Sequence, residues 1–168
     1  MSQVIIAEPL TVHAFSPFGE ILDALGEPDE IINQGNCGRF DDRATLDMPD
    51  GRAGISLFKA KPRTLPYTLD MVERHPLGSQ AFVPMSQDPF LVTVAPNEGR
   101  EPGRPRAFVT VPGQGVNLFR GTWHGVLTPL YPPGLFAVID RIGDGENLER
   151  YWFEQSFVVE SREQTGGD

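Results

Sequence analysis

A chain of 168 residues, 39% hydrophobic and 22% charged, has the length of one domain with a sizeable core. Its net charge of −9 repels nucleic acid and anionic membranes, so neither is expected as a partner, and an anionic ligand would need local cations. The 18 glycines and 16 prolines favour short strands and turns, and the single Cys37 excludes an internal disulfide and fits a reducing compartment.

The chain opens Met1-Ser2-Gln3 without a basic segment, and the apolar run at residues 4–7 is too short for a signal peptide. With no stretch of membrane-spanning length, a cytoplasmic protein is expected. Thr11 is placed to cap a helical turn that runs through Phe15, before Ser16-Pro17-Phe18-Gly19 ends it. Strand candidates follow at residues 55–60, 69–75, 80–84, 90–95, 107–111, 115–119, 134–140 and 151–159, most of them separated by Pro, Gly or Asn. Many short strands between such turns predict an all-β sandwich or barrel. Residues 96–106, with three prolines and two glycines, read as an inter-strand loop. A single domain over residues 1–160 is expected, and the polar, Gly-rich tail at 161–168 is expected to fray.

Two stretches carry chemistry. One is Glu73-Arg74-His75-Pro76-Leu77-Gly78-Ser79-Gln80-Ala81-Phe82-Val83-Pro84-Met85; the other runs from Gly113 through Gly121 to His124. Side chains repeat every two residues along a strand, so Glu73 and His75 share a face and Arg74 turns away. Gln80 opens the next strand and can lie across from them. The pattern resembles the two cupin signatures, H-x-H-x(3,4)-E and a segment ending P-x-G-x-x-H. Glu73 and His75 match the first two ligand positions, Gln80 the third and His124 the fourth. Glutamate replaces one histidine, glutamine the carboxylate, and Phe119 the second motif's proline. The resemblance implies an all-β cupin-type double-stranded β-helix, a jelly-roll barrel, with a few short helices.

The long first stretch looks like the hallmark of the ureidoglycolate lyase family. Further matches are Phe15-Ser16-Pro17-Phe18-Gly19, Ile32-Asn33-Gln34-Gly35, Gly115-Val116-Asn117, Trp123-His124 and Ile139-Asp140-Arg141. After His124 this chain reads Gly125-Val126, where many members carry His or Pro. The resemblance implies a homodimeric enzyme of allantoin (purine) breakdown that splits (S)-ureidoglycolate into glyoxylate and urea. It leaves open whether a divalent metal (Ni, Zn or Mn) takes part, with Glu73, His75, Gln80 and His124 as its ligands, or whether catalysis is metal-free.

The elimination needs a base at the hydroxyl, an acid at the leaving nitrogen and a cation for the carboxylate. His75 and His124 suit proton transfer. Glu73 can be the base or orient a histidine, and Gln80 can hold the urea amide. Arg39, Lys59 and Arg141 are candidates for the carboxylate, and Asn33 and Asn117 for the ureido group; spacing does not rank them. Plainer roles stand beside these: an ion pair of Glu73 with Arg74 or Arg63, an Asp140–Arg141 salt bridge, and a core or interface role for Tyr151, Trp152, Phe153 and Phe157. Two rival functions are an amidohydrolase that releases ammonia from the same substrate and a non-catalytic, metabolite-binding cupin.

Overall fold

The computed structural model describes residues 3–165. Its elements are β1 (Gln3–Ile6), β2 (Glu8–Pro9), α1 (Val12–Phe15), β3 (Gly19–Leu22), β4 (Glu30–Ile32), a 3-10 turn (Asn33–Gly35) and β5 (Cys37–Arg39). Then come β6 (Arg52–Lys59), β7 (Tyr67–Arg74), β8 (Gln80–Pro84), β9 (Phe90–Ala95), β10 (Asn97–Glu98), β11 (Glu101–Pro102) and β12 (Arg106–Val109). The chain continues with β13 (Gly115–Leu118), β14 (Trp123–His124), β15 (Thr128–Pro129), β16 (Leu135–Ile142), β17 (Glu149–Glu160) and a 3-10 turn (Arg162–Thr165). Of the segment expected to fray, residues 166–168 lie outside the described residues.

Two sheets face each other as a cupin-type barrel. One is ordered β1-β17-β7-β14-β9-β12-β2 and the other β3-β13-β8-β16-β6. The apolar run of β9 explains its central place. Phe90, Val92 and Val94 enter the core between the sheets, while Leu91 and Ala95 enter a second cluster on the opposite face with Trp123 and Phe157. A strand covered on both faces reads as a continuous hydrophobic run. Burying each such side chain contributes about 1.5–3 kcal/mol.

The strands at Gln80–Pro84 and Phe90–Ala95 coincide with those expected from sequence, and the longer remaining ones differ only at their ends. The two- to four-residue strands β1 to β5, β14 and β15 escaped notice, being too short to show alternation. The segment at 96–106 is more ordered than expected, because β10 and β11 pair inside it. Thr11 caps α1 as predicted, accepting from the Ala14 N–H at 3.3 Å. Among the described residues, no helix is long and apolar enough to cross a membrane.

Arg141 and Asp140 do not pair with each other. Arg141 is buried and donates to the carbonyls of Pro49, Asp144 and Asp50 at 2.7, 3.1 and 2.9 Å, tying the 49–50 segment to β16. The Asp140 carboxylate accepts from Gln80 instead. Tyr151, Phe153 and Phe157 form a ladder of edge contacts reaching Trp123, whereas Trp152 is 64% exposed.

Candidate active site

Strand pairing assembles the site. His124 stands opposite Glu73 across the β14–β7 pair, and Arg150 stands opposite Glu73 across the β17–β7 pair. Three neighbouring strands thus present His124, Glu73 and Arg150 in one row, on one face of the sheet. His75 follows β7 directly. The Gly121 N–H donates to the His75 carbonyl at 2.9 Å, so the turn before β14 is fastened to the end of β7. Gly121 holds φ +79°, a conformation that favours glycine and lets the chain reverse into Trp123-His124. One donor atom from each of Glu73, His75 and His124 can be chosen so that all lie within 4.8 Å of one another. The two imidazole rings are 5.2 Å apart, and the Phe82 ring meets His124 edge-on at 6.3 Å.

Hydrogen bonds fix both tautomers. His75 Nδ1 lies 2.7 Å from the Asn147 carbonyl and His124 Nδ1 lies 2.8 Å from the Gly125 carbonyl. A carbonyl oxygen only accepts, so each Nδ1 carries the proton and, in the neutral ring, each Nε2 keeps a lone pair. Both Nε2 atoms are buried without a protein partner. Asn147 also receives the Leu77 N–H through its Oδ1 at 2.8 Å, which steadies the loop that orients His75. Burial pushes the His124 imidazole down to about 4, the neighbouring His75 pushes the same way, and the Gly125 carbonyl opposes them. At neutral pH His124 is therefore an uncharged lone-pair donor.

Buried polar atoms in native proteins are nearly always satisfied. Two inward-facing imidazole lone pairs beside a carboxylate make a set that fits a divalent cation of the zinc or nickel type. Each histidine also has the carbonyl partner that commonly orients metal-binding imidazoles. Gln80 lies on the inner wall two positions before Phe82. Its Nε2 donates to Asp140 Oδ2 at 3.2 Å, while its Oε1 is buried and unpartnered.

The remaining expected residues are placed differently. Asn33 sits at φ 53° in the exposed turn between β4 and β5. Arg39, in the same hairpin, pairs with Asp41 at 2.7 Å and Glu30 at 3.9 Å. Lys59 is exposed at the end of β6, on the opposite face from Phe58, whose ring contacts Phe82. Asn117 is fully buried, and its Nδ2 donates to Glu20 Oε1 and the Thr45 carbonyl, both at 3.1 Å. Alternation turns it away from Val116 and Leu118, which face the core. Among the described residues, neither these four nor Arg141 shares a hydrogen bond or ion pair with Glu73, His75 or His124.

The charged partner of Glu73 is neither Arg74 nor Arg63. It is Arg150, with Nε 3.8 Å from Oε2. Arg74 lies on the other face, bound to Glu149 at 2.7 Å and stacked 4.3 Å from the Trp123 ring. Sequence reasoning passed over Arg150. The only signal was its parity within the last strand, which means nothing until the β17–β7 register is known.

Comparison with known proteins follows the same line. A family model described as ureidoglycolate lyase matches residues 2–160. A ureidoglycolate lyase of Rhodobacter capsulatus is 57% identical over 157 residues, covering 93% of this chain and 98% of that protein. One of Chelativorans sp. is 50% identical over 157 residues, covering 92% and 95%. Ureidoglycolate lyase 2 of Rhizobium meliloti is 51% identical over 158 residues, covering 90% and 94%.

Proposed function

The chain belongs to the ureidoglycolate lyase family, and from that membership we propose that it cleaves (S)-ureidoglycolate to glyoxylate and urea, in the cytoplasm, within allantoin (purine) breakdown. The observation that carries the assignment to this site is the pair of buried, unpartnered Nε2 atoms of His75 and His124 beside the Glu73 carboxylate.

In the substrate, the hydroxyl oxygen and the ureido nitrogen sit on one carbon. Cleavage removes the hydroxyl proton, converts C–O to C=O, breaks C–N and protonates the departing nitrogen. The net proton movement is from oxygen to its geminal neighbour, so one carboxylate with two oxygens can carry it. Glu73 takes the hydroxyl proton and returns it to the nitrogen. Gln80 Oε1 accepts an N–H of the ureido group, an interaction that its bond to Asp140 leaves open. With a divalent ion the roles change: His75, His124 and Glu73, with Gln80 as a weaker fourth, would hold it in place of the base and amide roles given above. Such an ion, when bound, supplies Lewis-acid polarisation of the substrate's oxygens.

We infer a homodimer as well. Alternation sets Ile55 and Leu57, 75% and 65% exposed, on the outward face of β6, and an apolar strand of that kind favours burial against a second copy.

The test is to incubate chelator-treated protein with ureidoglycolate, with and without Ni, Zn or Mn ions, while following glyoxylate, urea and ammonia. Glyoxylate and urea in equal amounts are expected. Ammonia as the nitrogen product would make the enzyme an amidohydrolase, and ligand binding without turnover would make it a metabolite-binding cupin.

A further inference from the structure

The geometry points to Arg150 as the residue that binds the carboxylate of the substrate; the inference rests on the ureidoglycolate reading above. Ureidoglycolate is an anion, and the site it must enter already holds the anionic Glu73. Without a cation at the same place, the two negative charges would repel. Arg150 occupies the strand position next to Glu73, in the row that ends at His124.

Its guanidinium is only loosely engaged. Its one polar contact among the described residues is the 3.8 Å approach of Nε to Glu73 Oε2, and its side chain is 57% exposed. Arginine presents a planar fork that matches a carboxylate with two parallel hydrogen bonds, and both Nη atoms remain for that purpose.

Four other arginines are already committed. Arg141 is buried among three carbonyls. Arg74 is held on the opposite face by Glu149, Asn97 and Trp123. Arg106 is paired with Glu8, and Arg120 with Asp47.

The direction of entry agrees. Against His124, Phe82, Val92 and Leu118 the barrel leaves a cavity of only about 20 Å³, which is room for one water. Glu73 keeps 19% of its side chain exposed, and the Arg150 side chain beside it is 57% exposed, so solvent reaches this end of the row. A substrate arriving from there meets Arg150 first, and its carboxylate is held outside while the carbon bearing hydroxyl and nitrogen faces Glu73 and the histidines.

The experiment measures steady-state cleavage by wild type, Arg150→Gln and Arg150→Lys, together with inhibition by oxamate and by its uncharged diamide, oxamide. Arg150→Gln is expected to raise KM and the oxamate inhibition constant together by ~100-fold, with kcat within ~3-fold, and Arg150→Lys to fall between. Inhibition by oxamide should not change. A KM for Arg150→Gln within ~3-fold of wild type overturns the proposal, and so does equal loss of affinity for oxamate and oxamide, which marks a structural role. Wild-type protein that releases no glyoxylate removes the functional reading itself, and the proposal with it.

Discussion

Asp140 decides which end of the Gln80 amide is left free to accept. By accepting from Nε2 at 3.2 Å, it leaves Oε1 as the buried atom without a partner. Asp140→Ala releases that constraint and lets the amide turn over. The expected result is a ~10-fold fall in kcat/KM, the effect of one misdirected hydrogen bond. Asp140→Asn, whose own carbonyl oxygen still accepts from Nε2, should stay within ~3-fold of wild type in the same assay. Equal losses in the two variants would show that the charge of Asp140 matters, and not its hold on Gln80.

His124 makes stability depend on pH. Its ordinary value of 6.5 is lowered to about 4 in the fold, so between those values the unfolded chain takes up a proton that the folded one refuses. The stabilisation is complete above about pH 6.5, declines as pH falls through the window down to about 4, and amounts to roughly 3 kcal/mol. Urea midpoints of wild type should therefore fall between pH 7.5 and 4.5. His124→Gln should lose much less over that range, and parallel losses would assign the effect to other groups.

Divalent ions should raise Tm through the three-residue donor set. At about a hundred times Kd, the linkage gain is ~2.7 kcal/mol. His75→Ala and His124→Ala each remove one lone pair and should abolish the rise seen by scanning calorimetry. A rise of equal size in both variants would place the ion elsewhere.

Arg141 predicts the opposite pattern to Arg150. It is buried, and its donors fasten Pro49, Asp50 and Asp144. Arg141→Met leaves those carbonyls unsatisfied and should cost roughly 3 kcal/mol, a Tm fall of about 6–12 °C. KM for ureidoglycolate, measured below the melting range, should stay within ~3-fold of wild type, because a structural tie does not touch the substrate.

What could be read from the chain alone follows from how each feature is encoded. Glu73 and His75 stand two residues apart, so alternation by itself brings them together, whereas Gln80, expected across from them, opens β8 in the other sheet and bonds Asp140 there. His124 needed motif spacing to join them, because its strand is only two residues long. Arg150 was hidden, since its place depends on a cross-strand register that local pattern does not carry. That strand also slips register between Trp152 and Phe157, which breaks simple alternation. Asn117 and Arg141 are expected at the substrate because they are polar and lie in matching motifs. The fold uses them to satisfy buried backbone and side-chain groups, a demand that burial creates and that no linear pattern shows.

The loop holding Asn147 reaches the chemistry from outside it. By gripping both His75 Nδ1 and the Leu77 amide, one asparagine dictates where a proton sits on an imidazole that it never helps to react. Lengthening or shortening that loop would therefore re-aim the ring while every substrate-facing side chain stayed the same, a route by which such enzymes can diverge without rebuilding their pockets.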